Sequence, residues 1–168
     1  MTAHFSELKD ASVYITGGGN GIGAALTEGF LKQGARVAIV GRSDATEFCD
    51  DMEQKHGNRP YFMQCDITDI SRLKETMDEA SARHGTITTL INNAANDKRH
   101  ATGEFDDSFY NWMMDINFKA YVFACQHAAP LMAAAGGGSI INFTSISYMM
   151  GNAGYPLYTA ANSAINGL

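Results

Sequence analysis

The chain has 168 residues, enough for one domain with its own hydrophobic core. Its 45% hydrophobic and 18% charged residues are ordinary for a globular protein, and a net charge of −6 argues against a general binder of nucleic acid or of anionic membrane surfaces. The opening residues hold no apolar run of signal-peptide length, and no stretch approaches a transmembrane span.

Residues 11–16 (ASVYIT) read as a short strand that stops at a glycine cluster. Residues 21–33 read as a helix, with Ile22, Ala25, Leu26 and Phe30 spaced for one buried face and Gly34 as its stop. A second strand follows at 36–40 (RVAIV), then a polar helix at 45–56 with Phe48 and Met52 facing in, ended by Gly57. Residues 61–65 form a third strand, 70–84 a helix ended by Gly85, and 88–92 (TTLIN) a fourth strand. The segment 108–135 contains a long helix, apolar at Phe109, Trp112, Met113, Ile116, Ala120, Phe123 and Ala124, broken by the glycines at 136–138. Residues 139–143 (SIINF) are a fifth strand, and Pro156 opens a last helix. Strand and helix in alternation mean parallel strands joined by right-handed crossovers. Uninterrupted apolar strands mean a sheet covered on both faces. The fold expected is therefore α/β, a doubly wound parallel sheet with helices on both faces, in one domain over 1–168. The chain stops inside an apolar helix, without a cap or later strand, and a longer natural product is expected. Cys49, Cys65 and Cys125 are odd in number and lack metal-ligand spacing. Buried free thiols in a reducing cytoplasm are expected, and no metal.

The glycine cluster has a chemical reading. Thr16-Gly17-Gly18-Gly19-Asn20-Gly21-Ile22-Gly23 joins the first strand to the first helix. Glycine lets the backbone turn tightly and approach a pyrophosphate, and the helix N-terminus offers it unpaired N–H groups. A strand before, a helix after and a second strand beyond are the context that a dinucleotide fingerprint requires.

The spacing T-G-x-x-x-G-x-G, met by Thr16, Gly17, Gly21 and Gly23, resembles that of the short-chain dehydrogenases. Asn92-Asn93-Ala94-Ala95 after the fourth strand, Asp66 after the third and Asn117 in the central helix match further family motifs in order. The resemblance implies a Rossmann-type sheet and hydride transfer between a nicotinamide dinucleotide and an alcohol or carbonyl. It also implies cofactor contacts from Gly17, Gly19, Asn20, Gly21, Ile22, Asp66, Ile67, Asn93, Ala94 and Tyr158. By the same resemblance the chain lacks the C-terminal strands of the family, and a homodimer or homotetramer is expected. Where NAD-preferring members end the second strand in an acid, this chain has Gly41 and then Arg42. A missing acid and an arginine able to pair with a 2′-phosphate favour NADP. The basic residue common inside the glycine loop of NADP enzymes is absent, its place being taken by Asn20.

The resemblance also implies a catalytic set. Ser145 and Tyr158 have the family's thirteen-residue spacing, and Asn117 belongs with them. A tyrosine can exchange a proton with the reacting oxygen if its pKa falls from about 10, and a serine can hold that oxygen. In the family, the asparagine kinks the central helix and holds a relay water. The family's Y-x-x-x-K is not kept, because Asn162 stands where the lysine would be. Asparagine brings hydrogen bonds but no charge to lower the tyrosine pKa. An engineered inactivation, a lesion in a decayed gene and a true variation with altered chemistry all remain open, the last with no neighbouring residue to replace the charge. The alternative function is accordingly a catalytically impaired or non-catalytic dinucleotide binder. Asn96-Asp97-Lys98-Arg99-His100 resembles a segment of the sugar 1-dehydrogenase branch, beside 3-oxoacyl-ACP-reductase-like proteins. Its mixed charges suit a polyhydroxylated substrate or a solvated loop, and Tyr148, Met149 and Met150 suit a substrate wall or a subunit contact.

Overall fold

The computed structural model describes residues 3–168. A five-stranded sheet in the order β3-β2-β1-β4-β5 is built from β1 (Ser12–Thr16), β2 (Arg36–Gly41), β3 (Tyr61–Gln64), β4 (Thr89–Asn92) and β5 (Ser139–Asn142). All four pairings are parallel. The chain winds from β1 outward to β3, then returns to place β4 on the other side of β1. The two windings part between β1 and β4, where an α/β sheet of this kind opens a crevice.

Helices α1 (Gly21–Lys32) and α2 (Thr46–His56) cover one face of the sheet, and α3 (Ile70–His84) and α5 (Ala120–Ala134) the other. The alternation of side chains along β1 divides the core between them. Val13 and Ile15 join Leu31, Cys49 and Met52 on the first face. Tyr14 joins Leu73, Met77, Ala124 and Met132 on the second. Every residue of β1 is buried, as its unbroken apolar run implies. On β5 the expectation fails in part: it is an edge strand, and Ile141 is 45% exposed. The glycines expected as helix stops, Gly34, Gly57 and Gly85, follow α1, α2 and α3.

Two elements depart from the sequence reading. The buried face of α1 is Gly23, Thr27 and Leu31, whereas Ile22 is 65% exposed. Beside the glycine loop the helix start leaves no room for a side chain on Gly23, and Thr27 donates its hydroxyl proton to the Gly18 carbonyl there, at 2.9 Å, while Leu26 and Phe30 pack on the core as expected. The long helix expected over 108–135 is three pieces: α4 (Asp107–Met114), a π turn (Asp115–Lys119) and α5. Beyond β5 lies a short helix that the sequence reading lacked, α6 (Ser147–Met150), and then α7 (Pro156–Ile165). Helix α7 packs on α4, on the π turn and on α6.

One polar pair crosses the core. Thr76 donates to the Leu73 carbonyl at 2.8 Å, so the hydroxyl of buried Tyr14, 2.7 Å away, donates to Thr76 Oγ1. Burial holds the Tyr14 phenol far above its ordinary pKa and therefore neutral. Thr76→Val should strand the Tyr14 hydroxyl and cost about 1–3 kcal/mol in urea denaturation, more than Tyr14→Phe, which leaves Thr76 its bond to Leu73. Equal losses would show that the stranded hydroxyl is not what costs.

Candidate active site

The carboxyl ends of β1 and β4 are tied by one hydroxyl. Thr16, 1% exposed, accepts at Oγ1 from the backbone N–H groups of Asn93 (2.9 Å) and Ala94 (3.1 Å). The Asn93 amide returns two bonds, to the carbonyls of Thr16 (3.1 Å) and Gly17 (3.4 Å). The glycine loop is thus fixed from below. Gly17 turns it at φ +70°, in the left-handed region that favours glycine, and its N–H reaches the Val40 carbonyl of β2 at 2.7 Å. A side chain on Gly23 would overlap the Gly17 carbonyl, and one on Gly19 would come within 2.7 Å of the Ala45 methyl. The loop can therefore lie flat along the mouth of the crevice.

Helix α1 begins there without a lid. Asn20 makes no capping bond with its side chain, and Ala24 is the first residue of the helix whose N–H bonds back, to the Asn20 carbonyl at 3.0 Å. The first-turn N–H groups, with the positive end of the helix dipole behind them, are what an anionic pyrophosphate needs. They border a cleft of about 400 Å³ lined by Gly17, Gly19, Asn20, Ile22, Arg42, Asp66, Ile67, Asn93 and Ala94. Nine residues expected to hold a cofactor are brought together there, while Gly21 and Tyr158 lie outside the lining. The glycine cradle and the open helix end fit a dinucleotide.

The cleft also holds residues that the sequence reading passed over. Phe62 and Ile116 give it apolar walls, and Asp44 adds an acid. Asp44 Oδ1 accepts from the Thr46 N–H (3.0 Å) and hydroxyl (2.6 Å), and these bonds hold its carboxyl below the usual range. An acid two residues before a threonine at a helix start was the available signal. Asp66 makes the same turn with Thr68, at 3.0 and 2.8 Å. Among the described residues, Arg42 has no ion-pair partner, and its carbonyl accepts from Gln64 at 2.8 Å.

A second cluster forms where α7 meets the π turn. Asn117, 1% exposed, donates to the Met113 carbonyl (2.9 Å) and the Asn96 carbonyl (3.0 Å) and accepts from the Asn96 N–H (2.8 Å). It thereby clamps the loop after β4 onto the π turn. Ser145, just past β5, accepts at Oγ from the Ser147 N–H at 3.2 Å, which leaves its own proton to give. Tyr158 lies in the first turn of α7, and its nearness shows in Tyr121, whose phenol is pushed upward by burial and then by Tyr158. Thr144 ties the serine segment to α7 by donating to the Asn162 carbonyl at 2.8 Å. Asn162, 4% exposed, turns its amide back into the helix and donates to the Tyr158 carbonyl at 2.9 Å.

The polar segment after β4 looks inward more than its composition implies. The Asn96 backbone is bonded to Asn117 while its side chain accepts from the Lys98 N–H at 2.9 Å, Lys98 lies over the Phe109 ring at 5.5 Å, and the Arg99 guanidinium lies over the Tyr155 ring at 3.9 Å. His100 is buried, and Asp97 is exposed. Of the presumed substrate wall, Met149 and Met150 are 70% and 63% exposed on α6. The cysteines are free; Cys49 and Cys65 are buried, Cys125 is half-buried, and burial pushes Cys65 up to about 11. No helix among the described residues is long and apolar enough to cross a membrane, and none of their acidic, histidine and cysteine side chains group as a metal site.

Comparison with known proteins agrees with this geometry. The family model described as short chain dehydrogenase matches residues 11–168, and the chain belongs to that family. It is 38% identical over 99% of its length to the Rhizobium meliloti protein named "Probable galactose dehydrogenase GalD", and 34% identical over 99% to D-xylose 1-dehydrogenase of Caulobacter vibrioides. It spans 66% of the length of each. The solved structure of NADH-dependent reductase A1-R′ complexed with NAD superposes with a TM-score of 0.88 at 26% identity, over 96% of this chain and 71% of that one.

Two glycines of α1 give an internal contrast. Gly29 has open space around its Cβ position, so Gly29→Ala should stabilise by about 0.5–1 kcal/mol in thermal or urea unfolding. Gly23→Ala should destabilise the chain and abolish dinucleotide binding, because the Gly17 carbonyl must move. A Gly23→Ala chain that binds dinucleotide as well as its parent would refute the close-approach account of the loop.

Proposed function

We propose that this chain is the dinucleotide-binding part of an oxidoreductase that moves hydride between a nicotinamide dinucleotide and an alcohol or carbonyl, with a sugar as substrate and NADP as the preferred dinucleotide. The observation that carries the reading is the open N-terminus of α1 above a glycine cradle, facing the same cleft as Arg42, Asp66 and Ile67. The first-turn N–H groups would take the pyrophosphate, Asp66 and Ile67 the adenine side, and Arg42 a 2′-phosphate. The dinucleotide, when bound, supplies or accepts the hydride. Tyr158 exchanges the proton of the reacting oxygen, Ser145 donates a hydrogen bond to it, and Asn117 holds the helix geometry around both. The sugar is supported by the names of the two relatives. A homodimer or homotetramer is supported by the apolar Tyr110 and Leu131, 43% and 40% exposed on α4 and α5. A cytoplasmic setting is supported by the free cysteines.

One observation favours a second reading, a dinucleotide binder with little turnover: Asn162 spends its amide inside α7 and brings no charge to Tyr158. Asn162→Lys should therefore raise turnover with NADP and a sugar panel. No gain would sink the account of Asn162.

The dinucleotide itself is tested by titration, reading the fluorescence of the reduced nicotinamide. NADPH should bind more tightly than NADH. Arg42→Leu should weaken NADPH by about tenfold to a hundredfold, as expected for hydrogen bonds between charged groups, and leave NADH unchanged. A preference for NADH would instead point to Asp44 as the acid that repels a 2′-phosphate.

A further inference from the structure

Helix α7 carries the proposed proton donor, yet its own sequence does not cap it. Tyr155 at the N-cap makes no capping bond with its side chain, whose hydroxyl accepts from Asn152 at 3.1 Å, and Pro156 follows with no N–H. The next N–H, that of Leu157, is met from far along the chain: it donates to His100 Nε2 at 3.2 Å. The other ring nitrogen of His100, Nδ1, lies 2.9 Å from the Lys98 carbonyl. These two partners fix the protonation of the ring. A backbone N–H only donates, so Nε2 must carry no proton; a carbonyl only accepts, so Nδ1 must carry one. His100 is thus a neutral imidazole in the Nδ1–H form.

The placement is secured on every side. The ring is 7% exposed and meets Phe105 and Phe109 edge to face, with centroids 5.5 and 4.9 Å away. Its own backbone N–H donates to the Gly154 carbonyl at 2.9 Å. The preceding residue, Arg99, covers the Tyr155 ring at 3.9 Å and reaches the Ala153 carbonyl at 3.5 Å. The Tyr155 ring in turn meets that of Tyr158 edge to face, at 5.4 Å. The loop after β4 therefore grips the chain from Ala153 to Leu157, the segment immediately before Tyr158.

The geometry points to His100 as a positioning residue: a remote helix cap whose neutral imidazole sets the first turn of α7 and hence where Tyr158 stands. That it serves proton transfer rests on the proposed oxidoreductase function; the cap itself does not. A histidine in this role is chemically selective. Phenylalanine would keep the ring contacts but lose the acceptor, whereas glutamine places a carbonyl oxygen near the position of Nε2 and keeps it.

The test uses the 168-residue chain, labelled with ¹⁵N. Long-range ¹H–¹⁵N correlations of the His100 ring should show a protonated Nδ1 and an unprotonated Nε2 at neutral pH. The opposite tautomer, or an imidazolium, would overturn the proposal without any variant being made. In His100→Phe, hydrogen exchange at the Leu157 amide should speed up about tenfold, while exchange in β1 stays within about twofold. His100→Gln should restore most of the protection. Unchanged exchange at Leu157 in His100→Phe would overturn the cap. NADPH titration of the same samples separates the two ideas: a chain that binds no dinucleotide but shows the exchange pattern would refute the proposed function and keep the cap.

Discussion

The hydroxyl of Thr16 is the constraint on which the site rests. At the carboxyl edge of a parallel sheet, the strands run out of ladder partners and the backbone groups beyond them must be satisfied some other way. Between β1 and β4 no crossover helix covers that edge. Thr16 Oγ1 takes two N–H groups from the chain leaving β4, and the Asn93 amide takes two carbonyls from the chain leaving β1. Water is replaced by a reciprocal set of bonds between the two loops, and the glycine loop is held in one shape before any ligand arrives. A site that needs no rearrangement to receive an anion spends none of its binding energy on ordering.

What was legible in the sequence follows from how directly each feature is written in side chains. The strands were legible because burial on both faces demands an uninterrupted apolar run, and RVAIV or TTLIN permits little else. Helix ends were legible where glycine stops them. The glycine loop was legible because glycines cannot be exchanged where backbone approaches backbone, as Gly23 does at Gly17. The packing face of α1 was misread in part: Leu26 and Phe30 pack on the core as expected, but next to the glycine loop the contact is too close for larger residues. Gly23 and Thr27 take the interior, and Ile22 turns to the cleft. The π turn was invisible to periodicity. Its sign is a buried asparagine bonding to the carbonyl four residues before it, and only the family resemblance marked Asn117 as the place where the helix would deform.

The segment 96–100 is ambiguous in another way. A polar side chain in a sequence does not reveal whether its partner is water, a ligand or the protein's own backbone. Here the Asn96 side chain accepts from the Lys98 N–H, Lys98 and Arg99 lie over aromatic rings and His100 meets Leu157, so the segment also braces its neighbours. Asn162 shows the same ambiguity at one position. In the sequence it is the absence of a charge; in the structure it is also a bond to the Tyr158 carbonyl, so its amide is committed along the helix.

These attachments share one piece of chain. Residues 93–100 bond at one end to the glycine loop through Asn93, in the middle to the π turn through Asn96, and at the far end to α7 through His100. The cofactor cleft and the serine–tyrosine cluster stand on different elements, and the cleft lining reaches only as far as Ile116. In the proposed reaction, hydride and proton would have to reach adjacent atoms of one substrate, where small displacements between donors cost rate steeply. A loop with free side chains would leave that separation to fluctuate. One whose polar groups are bound to both neighbours turns two sites into a single frame, which is a physical reason for polar residues on this segment.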